Sequence, residues 1–552
     1  MAYYILDIET TLDHGTIWCV VIRDIDTGKV EWALNPETLK KLIGPQDILI
    51  GHNLISFDVP ILNRLWKMKI PLTNCIDTLI LSRLWKPDLE NGHSLDAWGQ
   101  RLGTPKSKFD KFHEFSQEML DYCIQDTLVT QKVWEYLQIQ LEIHKVSVFK
   151  EWSPSWIEHQ VRIILDRQEN NGFCLDIGYT LDLLKRLREE SQSLYDELIN
   201  TVEPTVVVMK TKTKIIPFNP GSRQQVVDRL MKRGWVPTEF TPTRQPKLSD
   251  DILEKIKIPE AASIVRYLLL EKRITQIQSW VDAADENGVV HGYVNTNGAV
   301  TGRMTHSGPN MGQIPASYSP FGKECRRCWI PRHGMVLVGC DASGLELRML
   351  AHYMNDANYT ETVINGKKED GTDIHTVNMR AAGLVDRDTA KTFIYAFLYG
   401  AGPAKIGLIC GVSVEQAKSL IATFLDKTPA LKALKEKVSK LSKKGWLPGL
   451  DGRKLWVRSE HAALNTLFQA AGALVMKVAL IMLDKRLQAL YSGWYEFVAN
   501  VHDEWQIECD PGLASIIGWE AKEAIRRAGV LLKLRCPLDG DFNVGTSWAE
   551  TH

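Results

Sequence analysis

Seven carboxylates in this sequence stand where a strand, a turn or a helix can hold them for chemistry: Asp7, Glu9, Asp58, Asp126, Asp341, Asp503 and Glu504. Asp341 follows the apolar run Val336-Leu337-Val338-Gly339-Cys340, and helical apolar spacing begins at Leu345 (Leu345, Leu347, Met349, Leu350). A carboxylate fixed at the end of a buried strand and still facing solvent suits a metal ligand, although Asp in that place also caps helices. His502-Asp503-Glu504 lies between two strand-like runs, Val498–Val501 and Trp505–Ile507, and reads as the tip of a tight turn. Adjacent acids at a tip cost stability and are useful for holding cations. Asp341 and Asp503 then form one two-metal pair, suited to activating a 3′-hydroxyl and accompanying a departing pyrophosphate. Arg387, Lys391 and Tyr395 recur every four residues of one amphipathic helix, Arg387 to Tyr399, drifting about 40° per step. Two cations and a phenol on one face make a triphosphate cradle, with His375 as a further donor.

A second set stands near the N-terminus. Asp7 and Glu9 are two apart in Tyr4-Ile5-Leu6-Asp7-Ile8-Glu9, so both leave one face of a strand. Unpaired at about 4 Å they repel by roughly 4 kcal/mol at a near-surface dielectric, which a cation between them reverses. Gly51 to Asp58 brings another carboxylate after an apolar run, and Tyr122 and Asp126 share a helix face one turn apart. Four acids and a phenol are the parts for two-metal phosphodiester hydrolysis, the phenol orienting the attacking water.

Several elements must position these groups. His159 to Gln168 reads as a buried connecting helix ended by Asn170-Asn171-Gly172. Leu181 to Ile199 is heptad-like with a charged outer face, one arm of a long helical pair. Gly92 to Trp98 opens a packing helix, Ser222 is an N-cap after the turn Phe218 to Gly221, and Val236 to Lys247 is an exposed loop. His291 to Thr305 reads as strand, turn, strand, followed by Pro309 to Pro315. Arg303 and Gln313 are donors near Gly302; minor-groove acceptors are nearly alike for all base pairs, so such donors can test pair shape without reading sequence.

The bulk numbers agree with a large soluble protein. The 552 residues are 44% hydrophobic and 24% charged, enough for three or four domain-sized units by length. A net charge of −1 excludes an overall basic field, so any nucleic-acid surface must be local: Lys210, Lys212 and Lys214, or the run from Lys432 to Lys444. The ten cysteines form no framework, and Cys325-Arg-Arg-Cys328 lacks a second pair, which points to structural thiols in a reducing cytoplasm. Strand-like residues begin at Tyr3, leaving no signal peptide, and no apolar run approaches the roughly 18 residues of a membrane span.

The ordered set Asp7, Glu9, Asp58, Tyr122, Asp126 resembles the DEDD 3′–5′ exonucleases of the tyrosine subtype, which are RNase H-like. That resemblance implies the four acids as metal ligands and Tyr122 as the water-positioning group. DASGLELR, RDTAKTFIYAFLYGAG and VHDEW are similar to motifs A, B and C of family A, polymerase I-like, DNA polymerases, and Gly298 to Pro315 and Leu450 to Leu474 match as well. The similarity runs from residue 3 to the C-terminus and is nearest to the short replicative polymerases of podophages.

The family implies an α+β multidomain fold. An RNase H-like α/β exonuclease domain (1–150) precedes a right-hand polymerase (151–552). Its helical thumb covers about 176–280, its palm with an antiparallel sheet about 281–355 and 450–552, and its helical fingers about 356–449. Asp341, Asp503 and the Ala342 carbonyl are implied as metal ligands, with Glu504 as an auxiliary acid. Arg387, Lys391 and His375 are implied to hold the triphosphate, Lys391 giving a proton to pyrophosphate. Tyr399 stacks near the templating base; Arg303, Gln313, Asn465 and Gln469 sense the minor groove, and His502 contacts the primer terminus. Glu346 fills the space beside the sugar 2′ carbon and selects dNTPs; single-subunit RNA polymerases lack it. Tyr395 carries a hydroxyl where some relatives have Phe, which favours dideoxynucleotides.

The cofactor implied is Mg²⁺, two ions per site, with Mn²⁺ as a substitute. Primer-template DNA and dNTPs are the implied partners, beside a phage helicase-primase and a single-strand binding protein in the host bacterial cytoplasm. Glu190 to Phe218 is too short for the thumb loop by which some podophage polymerases recruit a host thioredoxin, so that partner is not expected; nor is a 5′-nuclease domain. Two other readings compete. One is a 3′–5′ exonuclease that merely grips DNA, which has no use for Asp341, Asp503, Arg387 and Lys391 together. The other is a single-strand binding protein stacking bases on the 17 Trp, most of which sit in apolar contexts.

Overall fold

Apolar residues on both faces of Tyr3–Thr10 (β1) draw it to the centre of the first sheet. The structure, a computed structural model, describes the chain except residues 209–212, 238, 242, 249–255 and 257. Lys210 and Lys212 of the basic run therefore lie outside the described residues, and Lys214 is exposed on the second strand of a hairpin. β1 pairs antiparallel with β2 (Ile17–Asp24) and parallel with β4 (Ile48–Gly51); β3 (Val30–Ala33) and β5 (Cys75–Asp77) complete the order β3-β2-β1-β4-β5. Around this sheet lie α1 (Asp58–Leu65), α2 (Thr78–Trp85), α3 (Leu95–Arg101) and α4 (Gln117–Leu141). α3 is the packing helix expected from Gly92 to Trp98; Ser94 caps it and Trp98 is buried.

α5 (Pro154–Asn171) leads out of this unit. It begins earlier than the expected His159 because Ser153 caps it and Pro154 occupies its first turn. It ends at Gly172, whose φ of 71° and close neighbours Val289 and His291 leave no room for a Cβ. Then α6 (Ile177–Thr201) packs along α7 (Pro259–Ala283), joining Leu183, Leu184 and Leu187 to Leu270, Ile277 and Trp280 in one core. Cys325 and Cys328 are buried in that same core as free thiols.

The short hairpin β6 (Tyr293–Asn295) and β7 (Thr305–Ser307) bears out the strand-turn-strand expectation. It precedes β8 (Val336–Ala342), which runs into α8 (Leu345–Met354). A helical block follows, with α9 (Ile374–Ala382), α10 (Arg387–Leu398), α11 (Pro403–Cys410) and α12 (Pro429–Ser442). The chain returns through the hairpin β9 (Trp446–Pro448) and β10 (Lys454–Trp456) and the long α13 (Ala463–Tyr491). β11 (Tyr495–Val501), β12 (Glu504–Cys509), α14 (Ala514–Leu531) and β13 (Gly540–Gly545) close the fold. The second sheet has the order β11-β12-β8-β13, all antiparallel, with β8 inside it.

The segment Glu460–Tyr491, which includes α13, is long and apolar enough to cross a membrane by length and composition, unlike the expectation from uninterrupted apolar runs. Its apolar window is 89% buried in the protein: it is the core helix behind the second sheet. A helix apolar on all sides is what a core in a protein of this size requires.

Candidate active sites

Asp341 is the penultimate residue of β8, and the turn between β11 and β12 carries His502 and Asp503. The Ala342 amide donates to the Asp503 carbonyl at 3.0 Å, so strand end and turn are tied together. Asp341 stands in register with Glu504 of β12 on one side and Asp541 of β13 on the other, so the three carboxylates share a face. Desolvation, then Asp503 and Glu504, push the Asp341 carboxyl up to about 7. Desolvation also raises Asp503.

Glu504 departs from its expected place at the turn tip. It is the first residue of β12, buried by its pairing with Asp341. Its carboxylate takes the Trp548 indole N–H and the Gln506 amide (2.6 Å) on one oxygen and faces His552 Nδ1 (2.7 Å) and Arg326 (3.6 Å) on the other. Burial pulls its pKa upward, but His552 and Arg326 outweigh that and hold it below the usual range.

α10 faces this cleft. Asp386 caps it through the Thr389 amide (2.6 Å). The Arg387 guanidinium donates twice to one oxygen of Asp373, at 3.1 and 2.8 Å, and Asp373 itself caps α9 through the His375 amide. Against the opposing effect of desolvation, Arg387 and Thr376 hold Asp373 down to about 2. Burial, then Arg387 and Lys391, push the His375 imidazole down, so it is neutral at pH 7. Its ring lies 6.0 Å from that of Tyr395. Lys391, Tyr395 and Tyr399 line an open cleft of about 710 Å³ with Lys405 of α11. The Tyr399 hydroxyl donates to Glu346 (2.5 Å), and Arg303 reaches the same oxygen at 3.2 Å. Arg303 and His502 also line one small pocket. Asn465 and Gln469 are half-buried one turn apart on α13, and Gln313 is exposed after β7; among the described residues no hydrogen bond joins them to Arg303 or Glu346.

In the first sheet, oxygens of Asp7 and Glu9 and the sulfur of Cys123 lie within 4.8 Å of one another. Asp58, the first residue of α1, accepts the Ile8 amide at 3.2 Å, which places it beside β1. Asp77 fixes the loop leading to it by accepting the Asn53 and Ile55 amides (3.0 and 3.1 Å). Asp126 pairs with Lys106 Nζ at 2.5 Å, and the same ammonium lies 4.8 Å from the centre of the Tyr122 ring. Burial, then Asp126, push Asp7 up to about 7; burial, Asp7 and Asp126 push Glu9 up to about 10. Burial and Asp7 raise Asp58 too, and burial raises Asp126. For Lys106 the pull of burial is outweighed by Asp126, so its ammonium persists above the usual range. The Cys123 thiol donates to Asp7 at 3.3 Å, and burial holds its pKa far above neutral, so it is a neighbour and not a thiolate ligand. Crowded, desolvated carboxyls of this kind are a hard oxygen donor set, the kind that Mg²⁺ and Mn²⁺ take.

The profile of DNA polymerase family A matches residues 184–550. The chain belongs to DNA polymerase family A. It is 34% identical to the DNA-directed DNA polymerase of Escherichia phage T7, covering 98% of this chain and 97% of that protein, and 34% identical to that of Enterobacteria phage T3, covering 97% of each. The thermostable DNA polymerase I of Thermus aquaticus is 27% identical over 72% of the chain. Among solved structures, the POL domain of Pol1 from M. smegmatis, in complex with DNA primer-template and dNTP, superposes with a TM-score of 0.81 at 20% identity, over 99% of this chain and 96% of that one. The fold is therefore the family A polymerase fold, and the protein is a DNA-directed DNA polymerase, akin to the phage replicative enzymes. The reading of a nuclease that merely grips DNA gives way to this one.

Several members of the two acid clusters carry no local sequence signal. His552 and Arg326 reach Glu504 from 48 residues after it and 178 before it. Asp541 reaches Asp341 only through the strand pairing of β13. Lys106 comes from a loop whose composition says nothing of the acids it meets.

Proposed function

We propose that this family A polymerase is a replicative enzyme with its own proofreading 3′–5′ exonuclease, each activity on its own acid cluster. The observation carrying the proposal is the pair of separate clusters: Asp341 near the end of an inner strand of one sheet with Asp503 on the adjoining turn, and Asp7, Glu9, Asp58 and Asp126 around another sheet. Residues 1–150 form the exonuclease domain and 151–552 the polymerase. The thumb covers about 176–280, the palm about 281–355 and 450–552, and the fingers about 356–449.

In the palm, Asp341, Asp503 and the Ala342 carbonyl would hold two Mg²⁺ or Mn²⁺ ions. Divalent ions held by each cluster supply Lewis acidity toward the phosphoryl oxygens and the oxygen that attacks or leaves. The chain's own groups do the rest. Arg387 and Lys391 neutralise the triphosphate from one face of α10, Lys391 giving a proton to the pyrophosphate, and neutral His375 donates to it. Glu346, held by Tyr399 and Arg303, blocks the space beside the 2′ carbon and so selects dNTPs. Tyr395 offers its hydroxyl near the 3′ position. Tyr399 closes the base-pair end of the cleft, Arg303, Gln313, Asn465 and Gln469 test the minor groove, and His502 meets the primer terminus. Glu504, sealed among Trp548, Gln506, Arg326 and His552, acts on Asp341 by its charge and position. In the exonuclease cluster Tyr122 orients the water that attacks the terminal phosphodiester.

The alignment with the phage T7 enzyme extends over 691 positions against 552 residues here, so that relative carries insertions this chain lacks. With the short stretch from Glu190 to Phe218, that difference in length supports a polymerase working without thioredoxin; kinship with the phage enzymes is the ground for setting it beside a helicase-primase and a single-strand binding protein in a host cytoplasm. Primer extension with Mg²⁺ and dNTPs tests the palm site, and 3′ degradation without dNTPs tests the exonuclease. Extension that survives Asp503→Ala, or degradation that survives Asp7→Ala/Glu9→Ala, overturns the assignment.

A further inference from the structure

Lys106 is the only basic side chain, among the described residues, ion-paired with any of the four N-terminal acids. Its ammonium touches both Asp126, at 2.5 Å, and the face of the Tyr122 ring, with its nitrogen 4.8 Å from the ring centre. In the exonuclease reading Asp126 is one of the metal ligands and Tyr122 the group that orients the attacking water, so the ammonium stands where the attacked phosphodiester meets both. The lysine is held there by its backbone. Gln125, one residue before Asp126 on α4, donates its amide to the Pro105 carbonyl at 2.9 Å. On the other side the Thr104 amide donates to the Gly99 carbonyl at 2.8 Å, and Gly99 has no Cβ because one would lie 2.7 Å from the Thr104 carbonyl and 3.3 Å from the Lys106 nitrogen. Further along the loop, Phe109 and Phe112 pack on Tyr122, and the Trp18 indole fastens the Phe112 carbonyl at 3.0 Å. One loop thus fixes the phenol and delivers the cation.

We propose that Lys106 is a further catalytic residue of the exonuclease site, donating to a non-bridging oxygen of the scissile phosphate. The inference rests on the exonuclease reading above and deepens it. Charge arithmetic favours it: four carboxylates balance two divalent ions, so the negative charge that builds on the attacked phosphoryl group is left to Lys106. A fixed donor aimed at developing charge in a desolvated site is a large contributor to catalysis. In the reaction, water forms the new P–O bond and gives up a proton, while the P–O3′ bond breaks and the 3′-oxygen takes one up. A deoxynucleoside monophosphate leaves. Lys106 enters neither count, keeping its proton and supplying a hydrogen bond and a charge.

The test uses the full chain, with single-turnover release of the 3′ nucleotide from single-stranded DNA at saturating Mg²⁺, and binding of the same DNA in Ca²⁺. Lys106→Ala is expected to slow release by about 100-fold, the scale of losing one oxyanion donor, with DNA binding in Ca²⁺ weakened less. Lys106→Arg should recover part of the rate, and primer extension by both variants should match wild type, which also reports a folded chain. Release by Lys106→Ala at the wild-type rate, with half-saturation moved to lower Mg²⁺, would overturn the proposal and leave Lys106 as a counter-ion that competes with metal. Equal loss of extension would overturn it too, by making the effect structural. Should wild type itself release no nucleotide while extending primers, the exonuclease reading fails and not the role of Lys106 within it.

Discussion

Mg²⁺ binding at the palm should be linked to protons near neutrality, and the size of the linkage follows from the strand register. Asp341 is flanked by Glu504 and Asp541 and faces Asp503, and desolvation with these charges brings its carboxyl up to about 7. At pH 7 it is therefore about half protonated, and a cation that needs the carboxylate must displace the proton. The sign is fixed: the proton competes with metal, so affinity falls as pH falls through 7. One such carboxyl weakens apparent affinity about tenfold between pH 8 and pH 6, roughly 1.4 kcal/mol. The assay is calorimetric titration of Mg²⁺ into enzyme on a dideoxy-terminated primer-template, with Asp7→Ala/Glu9→Ala to silence the other cluster. Runs in PIPES and Tris, which differ in ionisation enthalpy, should show about half a proton released from Asp341 per palm site filled at pH 7. Asp341→Asn should remove that release. An affinity flat from pH 6 to 8 with equal heats in the two buffers would refute the reasoning.

Asp7→Ala/Glu9→Ala should abolish 3′ nucleotide removal and leave extension intact; loss of both would mean one shared site. Tyr395→Phe should cut dideoxynucleotide incorporation by orders of magnitude, because the phenol can replace the missing 3′-hydroxyl as a partner; an unchanged ratio of dideoxy to deoxy use sinks that role. Glu158→Ala strands Lys477 and should cost about 3–5 kcal/mol in denaturant unfolding at pH 7. Burial already draws Lys477 down to about 8 against about 10.4 when unfolded. Without Glu158 the folded Lys477 sinks below about 8, so between the variant's folded pKa and that value only the variant sheds the proton that its unfolded chain keeps; its stability alone rises with pH there, and the deficit should be smaller at pH 9 than at pH 7. A deficit independent of pH would refute it.

What could be read from sequence was whatever is local. β1 and β8 declare themselves through apolar runs ending in or enclosing acids, and α10 through a four-residue recurrence that the helix preserves. The β11–β12 turn was legible too, but not its register: only the pairing of Asp341 with Glu504 reveals that Glu504 is interior. β13 has no alternation to announce it; Gly540 and Gly545 mark its ends, and its place comes from β8. His552, Arg326 and Lys106 were invisible for the same reason. Each is brought to an acid by a contact across 20 to 178 residues, and no periodicity encodes such a contact.

The two clusters stand in one frame because of neighbouring residues on α5. His159 accepts the Asp77 amide at 2.9 Å, and Asp77 in turn holds the loop that leads to Asp58. Glu158, fully buried beside it, accepts Lys477 of α13 at 2.7 and 2.9 Å and Arg453 of the β9–β10 hairpin at 2.6 Å. Successive residues of a helix point about 100° apart, so one turn of α5 holds β5 with one side chain and α13 and the β9–β10 hairpin with the next. A buried carboxylate between two cations is a poor source of net stability compared with apolar packing. It does fix geometry, since any shift of α13 or the hairpin relative to α5 unpairs a desolvated charge. α13 also carries Asn465 and Gln469, whereas β5 and α1 carry the approach to Asp58. On the assignment proposed above, a primer end passing from one cluster to the other crosses a joint fixed by these two neighbouring residues, so breaking the Glu158 contacts should disturb the spacing of the clusters before it disturbs either one.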